Sequence, residues 1–140
     1  MTNSPRHILV LCTGNSCRSI MGEALINQLG KGRYRAWSAG SQPTGSIHPG
    51  SIATLNRHGI DPGKPHSKSW NDMADQSFDM VITVCDQAAQ EACPRFPGNP
   101  KTLHWSIPDP GRAAGTEAQL QAAFDEAFFL LKHKIEHLLT

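Results

Sequence analysis

The chain has 140 residues, of which 39% are hydrophobic and 18% charged, and its formal net charge is +1. This length suits one domain with a proper core and is short for two. The near-neutral charge gives no electrostatic footprint for nucleic acid or for an anionic membrane surface. No apolar run approaches the length of a membrane span.

The N-terminal segment and the cysteine count indicate a cellular compartment. Residues 1–5 lack the apolar core of a signal peptide, so we expect a cytoplasmic protein. The chain has four cysteines. In the cytoplasm, cysteines serve catalysis, redox chemistry or metal binding more often than structural disulfides.

The first predicted elements are a strand and a helix joined by a tight loop. The apolar run at 7–11 predicts a strand covered on both faces, as in a parallel sheet, and the apolar spacing at 20–29 predicts a helix. The loop between them reads C-T-G-N-S-C-R-S. Backbone N–H groups of such a loop can point at one spot, where the helix dipole adds to their field. We therefore predict a site for a tetrahedral oxyanion, formed by Thr13, Gly14, Asn15, Ser16, Cys17, Arg18 and Ser19.

Two side chains of this loop carry the predicted chemistry. The guanidinium of Arg18 can grip two oxygens of a bound anion. The same positive field favours the thiolate of Cys12, which is its nucleophilic form. The alternative is a buried cysteine that ends a core strand, beside a solvated arginine. A cation is disfavoured in the first turn of a helix unless something negative lies there, which argues against that alternative.

The rest of the chain alternates between predicted strands and helices. We predict strands at 33–38, 78–84 and 101–105, and helices at 48–59, 67–75, 86–92 and 116–138. The final helix begins with a capping box formed by Thr116 and Gln119. It would bury Leu120, Phe124, Ala127, Phe128, Leu131, Ile135 and Leu138.

This order of elements predicts a single α/β domain over residues 1–140, with a parallel sheet and helices on both faces. Ligands of such folds bind beyond the carboxyl ends of the strands. Cys12, Cys85 and the loop that holds Asp109 each follow a predicted strand. Three separate loops are therefore expected to meet over one site.

With these motifs assembled, the chain resembles the low-molecular-weight protein tyrosine phosphatase superfamily, through the C-T-G-N-S-C-R-S loop and the late Asp-Pro. Within it, the stretch V-I-T-V-C-D-Q-A-A-Q-E-A-C-P followed by H-W-x-x-P-D-P resembles the thioredoxin-coupled arsenate reductases. The resemblance covers nearly the whole chain. It implies the phosphatase-like fold, for which we expect four strands in the order 2-1-3-4.

The resemblance also implies a relay of three thiols. Cys12 would attack arsenate, and Asp109 would protonate the leaving oxygen. Cys85 would then attack Cys12, which releases arsenite and leaves a Cys12–Cys85 disulfide. Cys93 would next attack Cys85, and thioredoxin would reduce the resulting Cys85–Cys93 disulfide. Cys93 lies about two helical turns beyond Cys85, or ~12 Å along an intact helix, whereas a disulfide needs Cα atoms within roughly 7 Å. We therefore expect 86–92 to unwind or loop out on oxidation.

The expected partners follow from this relay. The substrate would be arsenate, with phosphate or sulfate as mimics. Thioredoxin suits an intramolecular disulfide as the product, whereas glutathione with glutaredoxin would suit a mixed disulfide. We expect a monomer without nucleic acid or membrane as a partner.

We expect no bound cofactor and no metal centre, since the short cysteine spacings of zinc sites are absent from the sequence. Some relatives bind potassium near this loop. Asn15, Glu23 and Ser38 match three of those ligand positions, but the region of the fourth, acidic position reads Ser67-Lys68-Ser69. A lysine could here supply the positive charge in place of the ion.

Two other functions compete with reduction of arsenate. A phosphatase would use the same loop on a phosphoester, but it would carry aromatic residues where Gly111-Arg112 follows the Asp-Pro, and it has no use for the pair Cys85 and Cys93. A phosphocarrier or oxyanion-sensing module would lack Arg18. Within the loop, Cys17 is interpreted as a small filler, or as the partner of Cys12 in a protective disulfide.

Overall fold

The computed structural model describes residues 4–85 and 96–139. The predicted helix at 86–92, and Cys93 with it, lie outside the described residues. The elements in chain order are β1 (Arg6–Cys12), α1 (Arg18–Leu29), β2 (Tyr34–Gly40), α2 (Pro49–Arg57), a 3₁₀ helix (Trp70–Met73), β3 (Met80–Thr83), β4 (Lys101–His104), a second 3₁₀ helix (Pro110–Arg112) and α3 (Glu117–Leu138).

The four strands form one parallel sheet with the order β2-β1-β3-β4, which confirms the predicted fold and the order 2-1-3-4. In the register, Cys12 of β1 lies opposite Gly40 of β2, and Leu11 lies opposite Thr83 of β3. The carboxyl ends of these strands are therefore level with one another. The loops that follow them open at the same edge of the sheet.

The two faces of β1 explain its uninterrupted apolar sequence. Ile8 and Val10 belong to a core cluster that also holds residues of all three α-helices. Leu9 and Leu11 belong to a second cluster, which includes Trp70 of the first 3₁₀ helix. Because successive side chains of a strand point to opposite faces, the part of β1 that is covered on both sides, Ile8 to Leu11, is apolar at every position.

The capping box of α3 is present as predicted: Thr116 Oγ1 accepts the Gln119 N–H at 3.2 Å, and Gln119 Oε1 accepts the Thr116 N–H at 2.8 Å. Leu120 and Leu138 are only partly buried. The other predicted core positions are buried, namely Phe124, Ala127, Phe128, Leu131 and Ile135.

Two segments differ from the prediction. The helix predicted at 67–75 is a 3₁₀ helix restricted to Trp70–Met73. Ser69 begins it, since its side chain accepts the Asn71 N–H at 3.1 Å and its carbonyl accepts the Asp72 N–H at 3.0 Å. The loop that holds Asp109 contains the 3₁₀ helix Pro110–Arg112. Within the described parts of the chain, no helix is long and apolar enough to span a membrane.

Candidate active site

The loop from Cys12 to Ser19 begins at the last residue of β1 and passes into α1 at Arg18. Its carbonyl oxygens at Thr13, Gly14 and Ser16 accept hydrogen bonds of 2.9 to 3.1 Å from the backbone of the neighbouring segment. The donors are the N–H groups of Gln42, Thr44 and His48. In a trans peptide the N–H points away from the preceding carbonyl. The N–H groups that follow these three carbonyls therefore point towards the interior of the loop.

A chain of hydrogen bonds holds the sulfur of Cys12, which is only 3% exposed. The Lys68 N–H donates to Asn15 Oδ1 at 2.8 Å, so the amide nitrogen of Asn15 faces Ser19 and donates to its Oγ at 2.8 Å. Ser19 Oγ is then free to donate its own hydrogen to Cys12 Sγ, 3.1 Å away. The Asn15 N–H donates to the same sulfur at 3.2 Å. Two donors are thus aimed at this thiol.

Two backbone features allow the loop to be this tight. Asn15 has a φ of 48°, a left-handed conformation that asparagine tolerates better than most residues. A Cβ at Gly40 would lie 2.4 Å from the Thr13 carbonyl oxygen and 2.9 Å from that of Cys12. Only glycine at position 40 lets β2 pass this close to the loop.

Arg18 extends from the start of α1 towards the opposite wall of the site. Its Nη1 donates to the carbonyl oxygen of Ile107 at 2.9 Å, and its Nη2 lies 3.5 Å from Asp109 Oδ2. Its Nε is the one fully buried side-chain N or O atom without a hydrogen-bond partner in the part of the chain that the structure describes. An unsatisfied buried donor costs about 1–3 kcal/mol, and an oxyanion in the loop would remove that cost.

Asp109 lies at the start of the 3₁₀ helix Pro110–Arg112 and has both carboxylate oxygens engaged. Its Oδ1 accepts the Gly111 N–H at 2.9 Å. Its Oδ2 faces Arg18 on one side and Arg112 Nε, at 3.6 Å, on the other. These three contacts hold the carboxyl group beside Arg18.

Cys85 follows β3 and reaches the same loop. Its Sγ accepts the Thr13 N–H at 3.2 Å and lies 3.2 Å from Thr13 Oγ1. Its side chain is 3% exposed. Since Thr13 is the direct neighbour of Cys12 in sequence, the loop that carries the first thiol also holds the second.

These side chains line one cavity of about 560 Å³ at the carboxyl edge of the sheet. The lining includes four of the five predicted catalytic residues: Cys12, Arg18, Cys85 and Asp109. The fifth, Cys93, lies outside the described residues. Of the predicted oxyanion-binding residues, Asn15 and Ser19 are fully buried behind the sulfur and do not line the cavity, whereas the others do.

Cys17 is a third buried thiol of this site. Burial raises the pKa of the Cys17 thiol, and hydrogen bonds with Ser16 and Ser51 only partly oppose that rise. Its sulfur faces the turn at Gly111, where a Cβ would lie 3.2 Å from it. Cys17 therefore favours the neutral thiol and fills space between the loop and the Asp109 turn.

The positions that match a potassium site form a polar cluster beneath the loop. Glu23 accepts a hydrogen bond from Ser38 Oγ at 3.0 Å, and burial raises the pKa of its carboxyl group although the positive charge of Lys68 opposes the rise. Burial lowers the pKa of Lys68, and the charge of Glu23 opposes that shift. The Lys68 Nζ donates to the His66 carbonyl oxygen at 3.2 Å, so its positive charge lies near this cluster.

The sequence did not identify three further groups of the site. They are the Ile107 carbonyl that accepts from Arg18, the Thr13 side chain against Cys85, and the Arg112 guanidinium beside Asp109. Of these three groups, only Arg112 could have been found from the sequence, because Gly111-Arg112 directly follows the Asp-Pro. The other two contacts join residues that lie far apart in the sequence.

A single family accounts for the whole of this architecture. The model of the low molecular weight phosphotyrosine protein phosphatase family matches residues 7–140, and the chain belongs to this family. Among curated relatives, the arsenate reductase of Bacillus subtilis is 37% identical over 117 residues, which cover 84% of this chain and 83% of that protein.

Solved structures agree on the fold. A structure described as an arsenate reductase in the phosphate-binding state has 25% identity and a TM-score of 0.76, with 96% of each chain covered. The thioredoxin-dependent arsenate reductase of Corynebacterium glutamicum has 23% identity and a TM-score of 0.68, and the match covers 99% of this chain and 65% of that protein.

Proposed function

We propose that this protein is an arsenate reductase that works through a relay of Cys12, Cys85 and Cys93. One observation carries the proposal: the sulfur of Cys85 lies 3.2 Å from both the N–H and the hydroxyl of Thr13, inside the cavity that holds Cys12. Hydrolysis of a phosphoester needs one nucleophilic thiol. A second buried thiol in the same cavity suits a two-electron reduction.

The first step of the relay is attack on arsenic. The loop amides and Arg18 bind the arsenate oxygens, and Cys12 Sγ forms a bond to arsenic as one oxygen leaves. Asp109 takes up a proton when the oxyanion draws Arg18 away from it, and delivers this proton to the leaving hydroxyl, which departs as water. The buried Nε of Arg18 gains a partner in this complex, so binding removes the cost of leaving it unsatisfied.

The second step carries out the reduction. Cys85 attacks Cys12 Sγ, and the electron pair of the sulfur–arsenic bond moves onto arsenic, which leaves as arsenite. Two thiols become one disulfide, and arsenic gains two electrons. The Thr13 N–H is placed to stabilise the Cys85 thiolate during this attack.

The third step returns the enzyme to its reduced form. Cys93 attacks Cys85 and frees Cys12, and an external dithiol reduces the Cys85–Cys93 disulfide. We propose thioredoxin as that dithiol; its support is the description of the Corynebacterium glutamicum protein, which shares this fold. Glutathione with glutaredoxin is the alternative. A cytoplasmic monomer has access to either reductant.

We also propose that the site works without bound cofactor or potassium ion. Lys68 supplies the positive charge beside Glu23, and its backbone N–H orients Asn15. In this way one residue supplies the charge and also supports the hydrogen bonds to Cys12. Addition of potassium is then expected to leave the activity unchanged.

Phosphatase activity is the second candidate, because Cys12, Arg18 and Asp109 would serve a phosphoester equally well. The arrangement of these three groups does not separate the two reactions. The separating feature is the requirement for Cys85. A phosphatase keeps its turnover when Cys85 is replaced by serine, whereas the relay stops.

The test is oxidation of NADPH in the presence of arsenate, thioredoxin and thioredoxin reductase. Cys12→Ser, Cys85→Ser and Cys93→Ser are each expected to abolish multiple turnover. Cys93→Ser alone should still release about one arsenite per enzyme, because the first two thiols remain able to form their disulfide. Reactions without arsenate measure the background. Full turnover of arsenate by Cys85→Ser would contradict the relay. If the wild type oxidises no NADPH with arsenate, while wild type and Cys85→Ser both hydrolyse p-nitrophenyl phosphate, the phosphatase is favoured.

A further inference from the structure

Arg112 lies at the mouth of the cavity and is highly exposed. Its side chain is 83% exposed, whereas that of Arg18 is 13% exposed and lies inside. Both guanidinium groups face the same oxygen of Asp109, at 3.6 Å and 3.5 Å respectively. The carboxylate is therefore placed between an inner and an outer cation.

The outer cation adds a positive charge to the cavity. Among the residues that the structure describes, the charged side chains of the lining are Arg18, Arg112 and Asp109, so Arg112 is one of two cations there. The whole chain has a formal net charge of +1, which is too small to attract an anion over a distance. Local attraction of an oxyanion is therefore strengthened by the exposed guanidinium at the mouth.

Arg112 also gives Asp109 a second partner. An oxyanion that enters the loop competes with Asp109 for the guanidinium of Arg18. Because Arg112 faces the same carboxylate oxygen, Asp109 stays paired when Arg18 turns to the anion. A mouth without this cation would leave Asp109 facing the incoming negative charge alone.

The turn that carries Arg112 has little freedom to move away. Gly111 donates its N–H to Asp109 Oδ1, and a Cβ at this position would lie 3.2 Å from both that oxygen and Cys17 Sγ. Since the turn packs this closely against the oxyanion loop, the backbone of Arg112 is fixed beside the opening.

We propose that Arg112 is a specificity-determining residue, which favours small inorganic oxyanions such as arsenate and phosphate over phosphate monoesters of phenols. An aryl ester would place an aromatic ring at this mouth, where an apolar surface would suit it better than a solvated cation. The proposal deepens the proposed function and depends on it for the identity of the substrate. The binding of inorganic phosphate tests it independently of any reduction.

The experiment compares Arg112→Ala, Arg112→Lys and Arg112→Tyr with a matched control, Arg33→Ala. Arg33 is an exposed arginine directly before β2, at the opposite end of the sheet from the cavity. Arg112→Ala should raise the KM for arsenate about fivefold, the effect of one charge at a rim, and leave kcat within about twofold. Arg112→Lys, which keeps the positive charge, should have a KM for arsenate close to that of the wild type. Arg33→Ala should have the KM and kcat of the wild type.

Two further readouts separate charge from structure. The fivefold difference should shrink between about 0.01 M and about 1 M salt, because salt screens exposed charges. Arg112→Tyr should raise kcat/KM for p-nitrophenyl phosphate and also raise the KM for arsenate. In the Cys12→Ser background, calorimetry with inorganic phosphate should give the same fivefold loss for Arg112→Ala.

Unchanged phosphate binding and an unchanged KM in Arg112→Ala would overturn the proposal. A fall in kcat at constant KM would overturn it as well, because Arg112 would then act only by positioning Asp109. Absence of arsenate reduction by the wild type, together with weaker phosphate binding by Arg112→Ala, would refute the proposed function and leave the role of Arg112 in anion binding intact.

Discussion

Two carboxylates of this protein have similar neighbours and different consequences. Asp109 faces Arg18 and Arg112 at the mouth of the cavity. Asp125 of α3 faces Arg57 and His58 at the end of α2. Each carboxylate thus lies between an arginine and a second basic side chain, and the exposed fraction of both aspartates is 28%.

The surroundings of the two pairs separate them. Asp125 Oδ1 is hydrogen-bonded to both Arg57 and His58 Nε2, the latter at 2.9 Å. The His58 ring stacks on Phe128 with a centroid distance of 4.4 Å, so the cluster joins α2 to the core of α3. Around Asp109 the contacts are longer, and its neighbour Arg18 keeps one buried N–H without a partner. The hydrogen bonds of the Asp125 cluster are satisfied within the cluster, whereas the site around Asp109 has a buried donor left for a ligand.

The comparison predicts opposite effects of the same substitution. Asp109→Asn should lower kcat for arsenate at least about 100-fold, because the amide cannot donate the proton that the leaving oxygen needs. Its melting temperature should change little, since its two ion pairs, at 3.5 Å and 3.6 Å, are long and partly solvent-accessible. Steady-state kinetics and thermal unfolding measure both quantities. An Asp109→Asn variant with the kcat of the wild type would show that Asp109 does not take part in the reaction.

Asp125→Asn should lower the stability of the protein and leave its activity unchanged. The loss of charged hydrogen bonds to Arg57 and His58 should lower the free energy of unfolding by about 1 kcal/mol and the melting temperature by about 3 °C. Its kcat should equal that of the wild type, since Asp125 does not line the cavity. A variant that loses activity without losing stability would make Asp125 part of the site and refute the distinction.

The smallest expected effect is the pH dependence of the cluster around Asp125. Burial opposes ionisation of Asp125, but hydrogen bonds from His58 and Arg57 outweigh it and lower the pKa of the carboxyl group. The unfolded chain therefore binds the proton at a higher pH than the folded protein does. The stability that Asp125 contributes is complete above the unfolded pKa of about 4 and is lost as the pH falls below it. Unfolding of wild type and Asp125→Asn should converge in acid, and a constant difference would contradict this assignment.

The sequence predicted the local features of the site and missed the contacts between distant segments. The apolar run of β1, the capping box of α3 and the loop that joins β1 to α1 each leave a signal within a few residues. The meeting of Cys12, Cys85 and Asp109 was predictable too, because parallel strands carry their loops to one edge of a sheet. The sequence did not show which acceptor each hydrogen-bond donor of the site contacts.

Contacts across long separations explain this difference. The Lys68 N–H that orients Asn15, and the Thr13 N–H on Cys85, depend on backbone positions that only the folded chain fixes. The helix predicted at 67–75 is short for a similar reason. Asn15 Oδ1 accepts the Lys68 N–H, and Gly40 pairs with Ser69, which holds the start of that segment extended against the loop.

The most direct test of the relay is to identify the disulfide after a single turnover. Reduced Cys93→Ser protein, mixed with one equivalent of arsenate and without any other thiol, is quenched with an alkylating reagent and analysed by peptide mass spectrometry. We predict a Cys12–Cys85 disulfide in an amount equal to the arsenite released. A Cys12–Cys17 disulfide, or release of arsenite while Cys85 remains alkylated, would contradict the relay.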